Sequence, residues 1–246
     1  MSKLKNKTAI VTGGSRGMGK AIAKALAAQG ANVALTYVQS KEKAENVVAE
    51  IKLAGGKAIA IKADNASNSD VAAVVNETVQ NFGSVDILVN NAGIAIAKPL
   101  NDYTIQDYED TMGVNVRAVF VAAQEAVKHM PDGGRIITIG SNMGDNAVSE
   151  NMTLYTASKS ALQGLTRGMA RDLGRRKITV NLVQPGPVDT DMNPGNTELA
   201  DFLRTRMPLG EYGTTEDIAA MVSFLAGDES KFITGAILTV DGGFNA

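Results

Sequence analysis

The chain has 246 residues, 44% of them hydrophobic and 20% charged, a balance that excludes intrinsic disorder. Lys plus Arg number 24 against 26 Asp plus Glu, a net charge of −2 that removes any electrostatic case for nucleic acid or an anionic membrane as partner. There is no cysteine, so disulfides and thiolate chemistry are excluded. The single histidine, His129, leaves too few imidazoles for a typical catalytic zinc site or a Ser-His-Asp triad, and no metal is expected.

The opening stretch, Met1 to Thr8, has basic residues but no apolar core of signal-peptide length. Thr8–Thr12 reads as a buried strand and Met18–Gln29 as a helix ended by Gly30. Asn32–Tyr37 is a second strand, followed by a charged helix, Lys41–Ala54, that stops at Gly55-Gly56. Lys57–Lys62 is a third strand and Asp70–Phe82 a third helix. The alternation continues with strands at Val85–Asn90, Arg135–Gly140, Ile178–Val183 and Ala236–Val240. Helices are expected at Asp107–Lys128, Thr153–Leu173 and Thr215–Ala226. Strands apolar on both faces and separated by helices imply an α/β fold with a parallel sheet and right-handed crossovers.

No linker, charge block or internal repeat interrupts this order, so one domain over residues 1–246 is expected. Its irregular stretch, Pro185–Leu209, reads as a substrate loop. No run approaches the ~18 apolar residues of a membrane helix, and a soluble, cytoplasmic protein is expected.

Thr12-Gly13-Gly14-Ser15-Arg16-Gly17-Met18-Gly19 joins the first strand to the first helix. Glycines there let the chain turn sharply and let its backbone approach a pyrophosphate, while a helix N-terminus offers N–H groups and a positive dipole end. Gly13, Ser15, Arg16, Gly17, Met18 and Gly19 are therefore candidate dinucleotide contacts. A site selective for NAD usually ends its second strand on an acid that holds the ribose 2′-hydroxyl. Here that segment runs Leu35-Thr36-Tyr37-Val38-Gln39-Ser40-Lys41, without a carboxylate. Arg16 can pair with a 2′-phosphate, helped by Ser15 and Ser40, so NADP(H) is the expected cofactor, with Tyr37 and Ser40 among its contacts.

The spaced glycines Gly13, Gly17 and Gly19, the run Asn90-Asn91-Ala92-Gly93, Ser141 after the fifth strand, Tyr155-Thr156-Ala157-Ser158-Lys159, and Pro185-Gly186 after the sixth stand in a telling order. In these motifs the chain resembles the short-chain dehydrogenase/reductase family, essentially end to end. The resemblance implies a single-domain, Rossmann-type, doubly wound parallel sheet of about seven strands. It also implies that Lys159 bonds the nicotinamide ribose and that Asp64 and Asn65 flank the adenine. Asn91, Ala92 and Gly93 then lie beside the cofactor, as do Pro185 and Gly186, with Val188 and Thr190 at its carboxamide. A homotetramer is implied too, through the helices Asp107–Lys128 and Thr153–Leu173 and the segment Phe232–Ala246.

The residues also support the chemistry directly. Tyr155 and Lys159 are four apart and share one helix face. A free tyrosine, with a pKa of about 10, shuttles protons poorly at neutral pH, and a nearby ammonium is expected to lower that value. Ser141 can donate a hydrogen bond to a substrate oxygen. Asn115 matches the family's fourth catalytic residue, which anchors a water linking Lys159 to solvent. The expected activity is reduction of a small-molecule ketone or aldehyde, reversibly, with Tyr155 as general acid and base.

Two alternatives stand beside it. One is a 3-oxoacyl-carrier-protein reductase, disfavoured by Pro131, Asp132 and glycines where such enzymes carry docking bases, although Arg175, Arg176 and Lys177 still offer a basic patch. The other is a non-catalytic nucleotide-binding regulator. Met143, Met152 and Met192 fall near the expected pocket.

Overall fold

Each short apolar run becomes a strand of one sheet: β1 (Thr8–Val11), β2 (Asn32–Tyr37), β3 (Lys57–Lys62), β4 (Ile87–Asn90), β5 (Arg135–Ile139), β6 (Thr179–Pro185) and β7 (Ile237–Val240). The computed structural model describes residues 3–246. Met1 and Ser2, which begin the stretch read above for a leader, lie outside the described residues. All seven strands pair in parallel in the order β3-β2-β1-β4-β5-β6-β7.

The helices are α1 (Gly17–Ala28), α2 (Lys41–Leu53), α3 (Asn68–Phe82), α4 (Ile105–Met112), α5 (Ala118–Ala126), α6 (Thr153–Leu173), α7 (Glu198–Arg204) and α8 (Thr215–Ala226). Side chains alternate along a strand, so each strand feeds two cores. Val33 and Leu35 of β2, with Ile87 and Val89 of β4, pack under α1, α2 and α8. Ile10, Ala34, Leu88 and Ile136 point the other way, toward α3, α5 and α6. The alternating pattern thus gives the expected parallel α/β sheet, in the doubly wound, Rossmann-like arrangement that the resemblance implies.

Two expectations give way. The helix expected over Asp107–Lys128 is broken by a π turn at Gly113–Arg117, where the Ala118 N–H reaches back five residues to the Gly113 carbonyl. A β-carbon at position 113 would lie 2.8 Å from the Arg117 guanidinium, so the missing side chain makes room for the wider turn. The Pro185–Leu209 stretch is not wholly irregular. Pro185 completes β6, and Thr197 caps α7 by accepting the Ala200 N–H at 3.1 Å.

Chain order and sheet order part at the centre: the chain leaves β1 toward β2 and β3, then returns on the far side of β1 as β4. The segments leaving the carboxyl ends of β1 and β4 therefore diverge and leave a crevice, the usual ligand position in an open α/β sheet. Leu88, fully buried at the middle of this sheet, tests the packing against Leu53, which is 89% exposed. Leu88→Ala should lower unfolding stability by about 2–5 kcal/mol in urea titrations. Leu53→Ala should stay within about 0.5 kcal/mol of the parent.

Candidate active site

The crevice floor is held by threonine and asparagine side chains tying one strand end to the next. Thr12 Oγ accepts the N–H groups of Asn91 (2.9 Å) and Ala92 (3.0 Å), while Asn91 Nδ2 donates to the carbonyls of Thr12 (2.9 Å) and Gly13 (3.2 Å). From the other side, Thr36 accepts the Gly13 N–H on its hydroxyl at 3.0 Å and the Gly14 N–H on its carbonyl at 2.9 Å. Sequence reasoning gave neither Thr12 nor Thr36 a role, because a strand-end threonine has the same signature whatever it holds.

Glycine is required in this loop by contact. A β-carbon on Gly19 would lie 2.2 Å from the Gly13 carbonyl oxygen, and one on Gly14 would lie 2.6 Å from Leu35. Gly13 and Gly17 have φ of 65° and 52°, in the left-handed region. Helix α1 begins here with no side-chain cap and no acid in its first turn, whereas α3, α4, α7 and α8 are each capped by Ser or Thr. The first N–H groups of α1 are thus free of side-chain caps, and the glycines beside them add no side chain of their own: the residues present fit a pyrophosphate.

The other expected nucleotide contacts are spread along the same rim. Met18 packs half-buried against the α1 core, and Ser15 is half-buried in the loop. Tyr37 has its ring buried in the core beneath α2. Its carbonyl accepts the Ala63 N–H at 2.9 Å. Ser40 precedes α2 without capping it through its hydroxyl. The Asp64 carboxylate folds back on its own turn, accepting the Ala66 N–H at 2.9 Å, with half-buried Asn65 beside it. Arg16 is exposed and pairs with Asp191 in the loop after β6.

That loop approaches the glycines. Gly186 passes so close to the end of β7 that a β-carbon there would lie 2.4 Å from that of Asp241. Val188 is buried and pairs with Gly213, while the Thr190 methyl lies 3.6 Å from where a β-carbon on Gly17 would sit. Of the three methionines near the pocket, Met143 and Met152 are half-buried and Met192 is 64% exposed. His129 is exposed, away from the site.

The polar centre is built on the π turn. That turn directs Asn115 inward, where its Oδ1 accepts the Ile94 N–H and its Nδ2 donates to the Ile94 carbonyl, both at 2.9 Å. The same Nδ2 donates to Ser158 Oγ at 2.9 Å, and Ser158 in turn donates to the Tyr155 carbonyl at 2.7 Å. The Asn115 side chain therefore clamps the strand exit after Gly93 to the start of α6, and its amide is fully engaged in doing so. A β-carbon on Gly93 would sit 3.3 Å from Asn115 Oδ1 and 3.6 Å from Lys159 Nζ, so this glycine leaves open space beside the lysine.

Lys159 is buried, donates to the Ile139 carbonyl at 3.1 Å, and places its Nζ 5.5 Å from the centre of the Tyr155 ring. Burial pulls its pKa from 10.5 to about 8. Tyr155 departs from the expected lowering: burial pushes its phenol above the ordinary range, with the neighbouring Ser141 hydroxyl pulling the other way. The ammonium stands over the ring face. Ser141 Oγ accepts the Met143 N–H at 3.2 Å, which leaves its hydrogen free to donate.

Since Lys159 binds its proton less tightly folded than unfolded, the unfolded chain carries more protons between pH about 8 and 10.5, and stability rises with pH across that window. Lys159→Met should melt at a higher temperature than the parent at neutral pH, with the gap narrowing across the same window. Thermal melts as a function of pH check this, and a parent more stable than the variant at pH 7 contradicts it.

A family model described as enoyl-(acyl carrier protein) reductase matches residues 13–245. The Escherichia coli cyclic-di-GMP-binding biofilm dispersal mediator protein is 43% identical over 246 residues, covering all of both chains. The 3-oxoacyl-[acyl-carrier-protein] reductase FabG of Staphylococcus aureus is 44% identical, covering 96% of this chain and 97% of its own. Among solved structures, a blue fluorescent protein from a metagenomic library, in complex with NADPH, superposes with a TM-score of 0.97 at 53% identity, covering 99% of this chain and 100% of its own. On its motifs, its sheet order and these relatives, the chain belongs to the short-chain dehydrogenase/reductase family.

Proposed function

We propose that this chain is an NADP(H)-dependent oxidoreductase that interconverts a small-molecule ketone or aldehyde and its alcohol. The observation that carries this reading is the arrangement of Tyr155, Ser141 and Lys159 around one point, beside a glycine-built turn at the carboxyl edge of the sheet. The glycine loop from Gly13 to Gly19, Asn91–Gly93 and the segment from Pro185 to Thr190 would hold the cofactor, with Arg16 at its 2′-phosphate. When bound, NADP(H) supplies or takes up the hydride at the substrate carbon.

The protein's own residues handle the proton. Ser141 donates to the substrate oxygen and holds it against the Tyr155 hydroxyl. With its pKa raised by burial, Tyr155 is a neutral phenol at physiological pH, the form a general acid requires. Proton transfer to the substrate oxygen leaves a phenolate, which the Lys159 ammonium and the Ser141 hydroxyl stabilise. Lys159, at about 8, then titrates close to neutrality and can relay a proton inward. Asn115 positions α6 through Ser158. The protein acts as one domain, and the exposed rings of Phe120 on α5 and of Phe232 support a homotetramer built on the central helices and the C-terminal segment.

The test is NADPH oxidation over a panel of ketones. Tyr155→Phe should lower kcat roughly 10²–10⁴-fold, as loss of a general acid does, with NADPH affinity nearly unchanged. An equal rate in parent and variant would leave the regulatory reading, for which the E. coli biofilm dispersal mediator is the relative.

The carrier-protein reading draws on the S. aureus relative, but the bases it needs are partly spent. Arg176 pairs with Asp132 at 3.1 Å and Arg135 is buried. A carrier-bound 3-oxoacyl thioester should therefore be reduced no faster than a simple ketone. A strong preference for the carrier-bound form in kcat/KM would reverse this.

A further inference from the structure

Three charged groups from distant parts of the chain meet at the outer rim of the glycine loop. Asp191 Oδ2 lies 3.4 Å from Arg16 Nη1 and 3.7 Å from Lys43 Nζ. Arg16 ends the glycine loop, Lys43 stands in the first turn of α2, and Asp191 belongs to the loop after β6. All three side chains are more than half exposed. Two cations thus converge on one carboxylate oxygen at the place where, on the reading above, the 2′-phosphate sits.

We propose that Arg16 and Lys43 together form the 2′-phosphate seat, and that Asp191 is a built-in counter-anion that NADP(H) displaces. The inference rests on the proposed NADP(H) site and adds a second specificity residue and a competitor to it. One carboxylate oxygen between two cations leaves local charge uncompensated, and an exposed ion pair of this kind contributes little to stability. A phosphate brings close to two negative charges and three acceptor oxygens, enough to engage the guanidinium fork and the ammonium together. NADH lacks that group and leaves the pair intact.

Displacement has a structural consequence. Asp191 follows Thr190, whose methyl covers Gly17, and Thr190 pairs with Asn193 through their backbones. Breaking the contact of Asp191 with Arg16 and Lys43 removes the ion pairs between this loop and the rim, while Asp189 and Asn193 keep their bonds to Gly213 and Tyr212. The 2′-phosphate is then recognised by the exchange of one anion for another.

Isothermal titration of the full-length protein with NADPH, NADH, 2′-AMP and 5′-AMP tests this. Lys43→Gln should weaken NADPH and 2′-AMP about ten-fold, the scale of one lost hydrogen bond to a charged group, and leave NADH and 5′-AMP unchanged. Asp191→Asn should tighten NADPH and 2′-AMP by roughly three-fold, the range of an exposed ion pair, again without effect on NADH. Lys43→Arg should retain the preference. Equal weakening of NADPH and NADH by Lys43→Gln, or weaker NADPH binding in Asp191→Asn, overturns the proposal while leaving the NADP(H) site standing. A parent that binds no dinucleotide at all overturns both.

Discussion

A lysine ammonium is expensive to bury, and most of this site follows from burying one. Lys159 has left water, donates a hydrogen bond to the Ile139 carbonyl, and is pulled by burial to a pKa of about 8. A charge so placed acts strongly on whatever develops beside it, because little solvent screens it. The aromatic face of Tyr155 is what lies beside it. The open side, next to Gly93 and Asn115, is left free by a missing side chain. The destabilisation that Lys159 imposes is the physical counterpart of the chemistry proposed for it.

Holding that cation in place requires parts that come from far apart in the chain. β5 supplies the carbonyl, α6 carries the lysine, and the π turn before α5 supplies Asn115, whose amide ties the exit of β4 to Ser158 on α6. The parallel sheet makes this possible by bringing the carboxyl ends of all its strands to one edge. The cofactor side uses the same device: Thr12, Thr36 and Asn91 lock the ends of β1, β2 and β4 around the glycine loop. Small polar residues at strand ends thus place both halves of the site on a rigid frame.

The sheet, its helices and the glycine loop were legible because they rest on local signals: β-branched runs, helical period, and glycine after a strand. Tyr155 and Lys159 were legible as a pair because helix spacing alone puts them on one face. Three things were not. The π turn at Gly113–Arg117 interrupts an otherwise helical period and has no signature in residue spacing, so Asp107–Lys128 read as one helix. The direction of the Tyr155 shift depends on burial against charge, and spacing carries no information on burial. Asp191 and Lys43 lacked any motif, since they meet Arg16 only once the loop after β6 folds across the rim.

The most direct test of the central claim is an NMR titration of the Lys159 side chain, assigned by its disappearance in Lys159→Met. A midpoint near 8 is predicted. A midpoint at the ordinary 10.5 would mean that the ammonium stays hydrated, and the account of the site as organised around a buried cation would fail.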